Sequence, residues 1–338
     1  MTAAHPRHRP LGGHTAPASL HRLSWRRVWS RLCAALLCFY LAPSFAACVT
    51  TETSGALGSH PSQRVRSGAS ITTSADFKLG CGSVVLALFA TPTLQARITS
   101  PTTGLTLKNT TNNSLTVPYE IAPLGGGSYT QGLLVINLSG ANAVALLSNN
   151  SATISLRIST LPGANAPAGT YTDTITVNWV YANICEGIAV GTACVGNVRN
   201  GNVDRTITVQ LVVINDCTIA APNIQFGAAP LPSGFGTVSQ SISLLCTRGM
   251  TYSVGLDNGL YASGGRRQMA SGTNRLQYDI FKPNQSVWGA AGAARAAGLG
   301  MADGATWQVM PYSARVYADQ PNAPLGSYSD TVKVDVQF

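Results

Sequence analysis

The sequence predicts an all-β protein built from two tandem β-sandwich domains, and three observations carry that prediction. Apolar residues alternate with polar ones in short runs bounded by Gly, Pro and Asn. Ile207, Val209, Leu211 and Val213, set against Thr206, Thr208 and Gln210, are an example, and this is the period of a half-buried strand. No segment carries an apolar i, i+3, i+4 stripe long enough for an amphipathic helix. A block of 13 residues, Asn165 to Val177, returns 157 residues later as Asn322 to Val334 with eight identities, which marks duplicated domains rather than a solenoid.

The first 46 residues read as an export signal. Arg22, Arg26, Arg27 and Arg31 form a basic segment, Leu32 to Leu41 a short apolar core, and Ser44-Phe45-Ala46 an A-x-A-like cleavage site. Arg26-Arg27 invites a twin-arginine reading, but Val28-Trp29 continues it poorly, and Sec export is expected. Phe45-Ala46-Ala47-Cys48 also resembles a lipoprotein cleavage box with Phe in place of Leu. No later apolar run approaches the ~20 residues of a membrane-spanning helix. The remainder divides into expected domains at 47–215 and 216–338. The signal holds six of the 22 Lys+Arg and none of the 13 Asp+Glu, which leaves the rest at +3. Its cations are scattered apart from Arg266-Arg267, so nothing tracks a phosphate backbone and nucleic acid is excluded as a partner.

Six cysteines follow the signal, and an even count in an exported chain reads as a disulfide framework. Cys48 and Cys81 are 33 apart and Cys217 and Cys246 are 29 apart, which suggests one bridge repeated in related domains. Cys185 and Cys194 then close a small loop. A metal site is not expected, because no CxxC occurs and His60 is the one histidine outside the signal. Nor is an enzyme. The same stretch has three glutamates, Glu52, Glu120 and Glu186, and no G-x-S-x-G, phosphate loop or metal-ligand spacing. Asp173 and Asp330 hold equivalent repeat positions, which points to a turn or strand-start role. No cofactor is expected.

Each copy of the repeat is a Pro/Gly turn, a tyrosine, then an alternating strand. That order resembles the tyrosine corner at the E–F turn of an immunoglobulin-like sandwich. The copies continue differently. After the first, a 24-residue connection, Ala182 to Arg205, leads to a further strand at Thr206–Val213. After the second, Val332, Val334, Val336 and Phe338 alternate as an F-type strand with no G-type strand behind it. The expectation is an incomplete second domain with an apolar groove, edged by those four residues, that needs a strand from another chain. The alternative is that Cys217 to Ile224 wraps round to complete the sheet.

Cys217-Thr218-Ile219, Phe226-Gly227, Cys246, Arg266-Arg267-Gln268-Met269, Leu276-Gln277-Tyr278, Trp288-Gly289 and Gly326 to Val332 fall in order. Together they resemble the spore coat protein U domain over 217–338. The preceding region is similar to the N-terminal domain of two-domain members, well over Thr153–Asp216 and more loosely over Cys48–Asn150, where the Phe-Gly after the first cysteine is missing. The resemblance implies a tip adhesin of archaic chaperone–usher pili, exported through the periplasm to the cell surface. Its implied partners are a periplasmic pilus chaperone, an outer-membrane usher, an adjacent pilin subunit and an abiotic or host surface on which biofilm forms. The run Thr50 to Ser70 is mostly polar or Gly/Pro-rich and offers no alternating donor pattern, which fits an acceptor at a pilus tip.

Strand order places three apolar segments at the far end of the first sandwich. The B–C candidate, Gly82 to Ala90, holds Val84, Val85, Leu86, Leu88 and Phe89; the D–E candidate, Asn142 to Asn149, holds Val144, Leu146 and Leu147. The F–G candidate, Cys185 to Val195, holds Ile188 and Val190. Exposed, they form a patch that grips apolar surfaces, and the family's adhesins are similar in carrying apolar finger-like loops there. Val84–Phe89 reads equally as a buried strand, and Val144–Leu147 as core. The remaining alternatives are a carbohydrate-binding tip lectin stacking sugar on Trp179 and Tyr181, or another secreted coat or pilin subunit.

Overall fold

A computed structural model describes residues 48–67, 70–81, 84–85, 91–100, 104–123, 134–148, 152–190 and 193–338. The export segment and Leu86, Leu88 and Phe89 lie outside them. The first eleven strands are β1 (Val49–Glu52), β2 (Gly55–Pro61), β3 (Thr72–Gly80), β4 (Val84–Val85), β5 (Thr93–Ser100) and β6 (Thr106–Asn109), then β7 (Thr116–Pro123), β8 (Leu134–Ser139), β9 (Ala152–Thr160), β10 (Gly169–Val190) and β11 (Ala193–Ile214). Two short helices interrupt them, α1 (Ser62–Arg66) and α2 (Ala141–Ser148). The ladder runs β1-β3-β9-β7-β6-β10-β11-β2, so the sheet curls over one core. Alternation drives the burial: Ala75, Phe77 and Leu79 of β3 point inward, as do Ala152, Ile154, Leu156 and Ile158 of β9.

Eight strands follow: β12 (Cys217–Ala220), β13 (Val238–Cys246), β14 (Ser253–Leu256), β15 (Arg267–Ser271), β16 (Asn274–Phe281), β17 (Ala296–Ala297), β18 (Gln308–Val316) and β19 (Val334–Gln337). They form two layers, β12-β13-β18-β16-β15 and β17-β14-β19, around a second core. The architecture is two tandem immunoglobulin-like sandwiches, as the repeat predicts. The disulfides are Cys48–Cys81, Cys185–Cys194 and Cys217–Cys246, the pairings that spacing suggests.

The corner of the repeat folds the same way twice, although the first copy is strand from Gly169 and the second only from Val334. Tyr171 Oη donates to Pro167 O and Tyr328 Oη to Pro324 O, both at 2.8 Å, which is the tyrosine corner. Gly169 and Gly326 are glycines because a Cβ there would collide with Asn109 and with Ser271. One step along, Asp173 accepts from Tyr119 Oη and Asp330 from Tyr278 Oη, each at 2.8 Å. Equivalent aspartates thus tie each corner to the opposite layer.

One expectation is corrected. The stretch Ala182 to Arg205 is not a loose connection, because β10 and β11 are 22 residues each and continue as one hairpin. The hairpin bulges between Tyr181 and Ile184, where Asn183 takes φ 57°, and Gly201 leaves room for the Tyr181 ring across the ladder. The polar stretch after Cys48 contributes two strands. β1 pairs with β3, and β2 pairs in parallel with β11. Behind β2, Asp216 Oδ1 accepts from Ser62 Oγ at 2.7 Å and from Gln63 N at 3.2 Å. Thr247 Oγ1 lies 2.7 Å from Ser62 Oγ and accepts from Asp216 N.

The second core is organised round a buried ion pair. Arg267 Nη1 lies 2.9 Å from Asp279 Oδ1, both side chains being 2% exposed. The other guanidinium donors go to the carbonyls of Leu256, Asp257 and Trp288, and Tyr317 Oη takes the second Asp279 oxygen. Removing one partner strands the other in the interior, so Arg267→Ala should lower unfolding free energy by about 3–5 kcal/mol in chemical denaturation. Tyr171→Phe should cost about 1 kcal/mol by the same measurement, and Tyr328→Phe less, because the Tyr328 corner is open to solvent.

Candidate functional site

Strand β19 carries ladder bonds on one side only among the described residues. It pairs with β14, Val336 opposite Val254 and Val334 opposite Leu256. At the edge of the other layer, β12 pairs with β13, and beyond Ala220 the chain runs through Ala221–Phe226 without strand structure. Of Cys217 to Ile224, only Cys217–Ala220 lies in a ladder, with β13. Between these two edges lies a cavity of about 480 Å³. Its floor includes Ile242, Leu256, Met269 and Ile280, with Ile224 and Phe226 on one wall and Val332 and Val334 on the other. Phe226 meets Tyr278 edge-on at 5.7 Å, fixing wall to floor.

Of the four predicted edge residues, Val332 and Val334 line this groove. Val336 packs against the core beyond it and Phe338 is exposed, because β19 ends at Gln337. Tyr278, Tyr312 and Asp330 of the groove all have side-chain partners. Burial pushes the Tyr278 phenol up, and its bond to Asp330 acts in the same direction. Burial likewise raises Tyr312, which donates to Gln240 Oε1 at 3.0 Å. Both phenols stay neutral at physiological pH. Asp330 Oδ1 accepts from Leu260 N and Thr331 N, each at 2.8 Å.

The first core shows the same site filled. There β11 lies between β10, antiparallel, and β2, parallel. Its Ile207, Val209, Leu211 and Val213 are buried and stand opposite Ile175, Asp173, Tyr171 and Gly169. Shifted by the 157-residue repeat, those partners are Val332, Asp330, Tyr328 and Gly326, three of which line the groove.

The structure also brings the three far-end segments together. Val84 and Val85 form β4, which pairs with Glu186 and Cys185 of β10, and α2 lies against β4. Asn142 to Asn149 is mostly helix rather than loop. Ala143 and Leu147, one turn apart on its inner face, are fully buried, so Leu147 belongs to the core and not to an exposed patch. Val144 and Leu146 lie in the same helix. Ile188 and Val190 are in β10, opposite Val195 and Ala193. Val195 and Val198 of β11 are more than half exposed. Val198 falls outside the segment that the cysteine spacing marks, because that spacing describes a short pinned loop rather than a long hairpin. Glu186 is buried against Arg199 Nε at 2.6 Å and close to the Cys48–Cys81 bridge. Trp179 and Tyr181 are core residues, which removes them as a sugar platform, and Trp288 is buried as well.

No curated protein matches the sequence. Among solved structures, the chain is similar to one in the CsuC–CsuE chaperone–tip adhesion subunit pre-assembly complex from archaic chaperone–usher Csu pili of Acinetobacter baumannii. The TM-score is 0.56 and the identity 23%, covering 86% of this chain and 100% of that one. A more distant similarity, with TM-score 0.36 and 12% identity, links it to the CupB6 tip adhesin of Pseudomonas aeruginosa, covering 86% and 95%. The first similarity establishes the two-domain fold. Residues 203–335, which contain the whole groove, match the family model of the Spore Coat Protein U domain.

Proposed function

We propose that this protein is a pilus tip adhesin whose C-terminal sandwich accepts a strand from a periplasmic chaperone and then from the adjacent pilin, and whose far end attaches to surfaces. The observation that carries the reading is the groove between Ala221–Phe226 and β19, at the position that β11 fills in the first sandwich. An inserted strand that follows the pattern of β11 runs antiparallel to β19 and parallel to 221–226. It sets large apolar residues against Val332, Asp330 and Tyr328. Four such residues contribute roughly 6–12 kcal/mol before ordering costs, comparable to the stability of a whole domain.

Two further features support a terminal position. Cys48 is tied to Cys81, and Val49–Glu52 is committed to a ladder with β3, so this segment is already engaged within its own fold. At the opposite end, the β10–β11 hairpin presents Val195 and Val198 to solvent beside β4 and α2, an apolar surface suited to abiotic or host material and to biofilm growth. The pre-assembly complex of the similar chain supports a chaperone partner; an outer-membrane usher follows from the same reading. We read the protein as non-enzymatic: His60, for example, is engaged with Leu57 O at 2.8 Å.

Fusing a copy of residues 203–214 behind Phe338 through a flexible linker should give a soluble monomer with a raised Tm, whereas the unfused chain aggregates. Equal solubility and equal Tm for the two would refute the acceptor reading. Replacing Val195 and Val198 with asparagine should abolish adhesion to plastic while pili remain visible by electron microscopy. Undiminished attachment by that variant would remove the apolar-grip mechanism.

A further inference from the structure

The strand that borders the groove poses a problem of its own. β19 is four residues long and bonded along one edge, so its register depends on whatever else holds it. Such a strand frays readily. Arg295 answers this. It is 9% exposed, and its guanidinium makes five hydrogen bonds to three segments. Nε reaches Ser253 Oγ at 2.9 Å and Nη2 reaches Ser253 O at 2.9 Å, both on β14. Nη1 reaches Ala290 O at 2.8 Å in the preceding loop. Nη1 also meets Asp335 Oδ2 at 2.7 Å and Nη2 meets Asp335 O at 3.3 Å, both on β19. The guanidinium crosses β14 directly over Gly255, where a Cβ would collide with Arg295 and with Asp335. Gly255 is the ladder partner of Asp335, so the glycine opens the path by which the arginine reaches the last strand.

The first sandwich shows what this replaces. The repeat equivalent of Asp335 is Asn178, which donates to Asn202 and Asp204 of β11, at 2.6 and 2.7 Å. There the position is held from the side of the covering strand. In the second sandwich it is held from the opposite side, across β14. We infer that Arg295 is a positioning residue that keeps β19 in register while the groove is open, so that an incoming strand meets a formed edge instead of having to order it. The inference rests on the acceptor reading and assigns a role within it. A planar, five-donor fork suits the task, since lysine could not span the three segments.

The test uses the fused chain described above with a protease site in its linker, and measures amide hydrogen exchange before cleavage and in the first minutes after cleavage and dilution, below the concentration at which the open chain aggregates. In Arg295→Ala, the β19 amides should exchange about tenfold faster than wild type after cleavage and within about twofold of it before, with β13 and β18 unchanged in both states. Asp335→Asn, which keeps the side-chain shape and the backbone contact, should behave alike with a smaller effect. Equal acceleration in both states, acceleration that spreads to β13 and β18, or none at all would overturn the inference. If the fused strand gives wild-type β19 no protection, the acceptor reading itself falls, whatever Arg295 does.

Discussion

A β-strand inside a sandwich has three demands: its inward side chains must be covered, and its backbone groups need partners along both edges. Among the described residues, the last strand of the first sandwich has ladders along both edges, and β19 of the second has one. The remaining features of the second sandwich follow from that condition. Its core is braced by a fully paired Arg267–Asp279 contact and by Trp288, whose indole donates to Val254 O at 2.9 Å. Arg267 also bonds the carbonyls of Leu256 and Asp257 and faces Tyr278 across the β15–β16 ladder, so it braces the floor of the groove.

The two sandwiches are best understood as the same design in two states. Corner tyrosine, aspartate and cross-layer tyrosine recur with equal 2.8 Å bonds. The disulfide that ties the first strand to its antiparallel partner recurs too. The differences cluster on one strand and its neighbours. β10 has β11 beside it, whereas β19 has an apolar trench lined by Phe226, Tyr278 and Val332. Because the comparison is internal to one chain, it specifies direction and side-chain register for a covering strand without appeal to any other protein.

Much of this was legible in the sequence. Period-two alternation located the inner half of β11 and the last strand, β19, cysteine spacing suggested the bridges, and the repeat marked both corners. What escaped has physical causes. The outer half of the β10–β11 hairpin is interrupted by Asn183, Gly187, Gly196 and Gly201, residues that normally end strands; here Asn183 sits in a bulge, Gly201 makes room for Tyr181, and Gly187 and Gly196 pair across the ladder. β2 is Gly/Ser/His-rich and is held by a parallel ladder, which composition does not reveal. α2 is only two turns long, too short for an apolar stripe to register. The reach of Arg295 over Gly255 depends on contacts 40 residues apart in sequence, and no local pattern encodes it.

The continuity of β11 has a mechanical meaning. Its last residue, Ile214, is two positions from Asp216, which grips Ser62 and Gln63, and three from the bridged Cys217. A pull on the C-terminal sandwich therefore enters the first one along the axis of β11. That strand is flanked by ladders on both sides, so such a force loads many backbone bonds in shear at once rather than peeling them singly. Under the proposed adhesin function, a surface gripped at the outer end of the same hairpin would sit on the same line of force, and the load would pass through one uninterrupted strand.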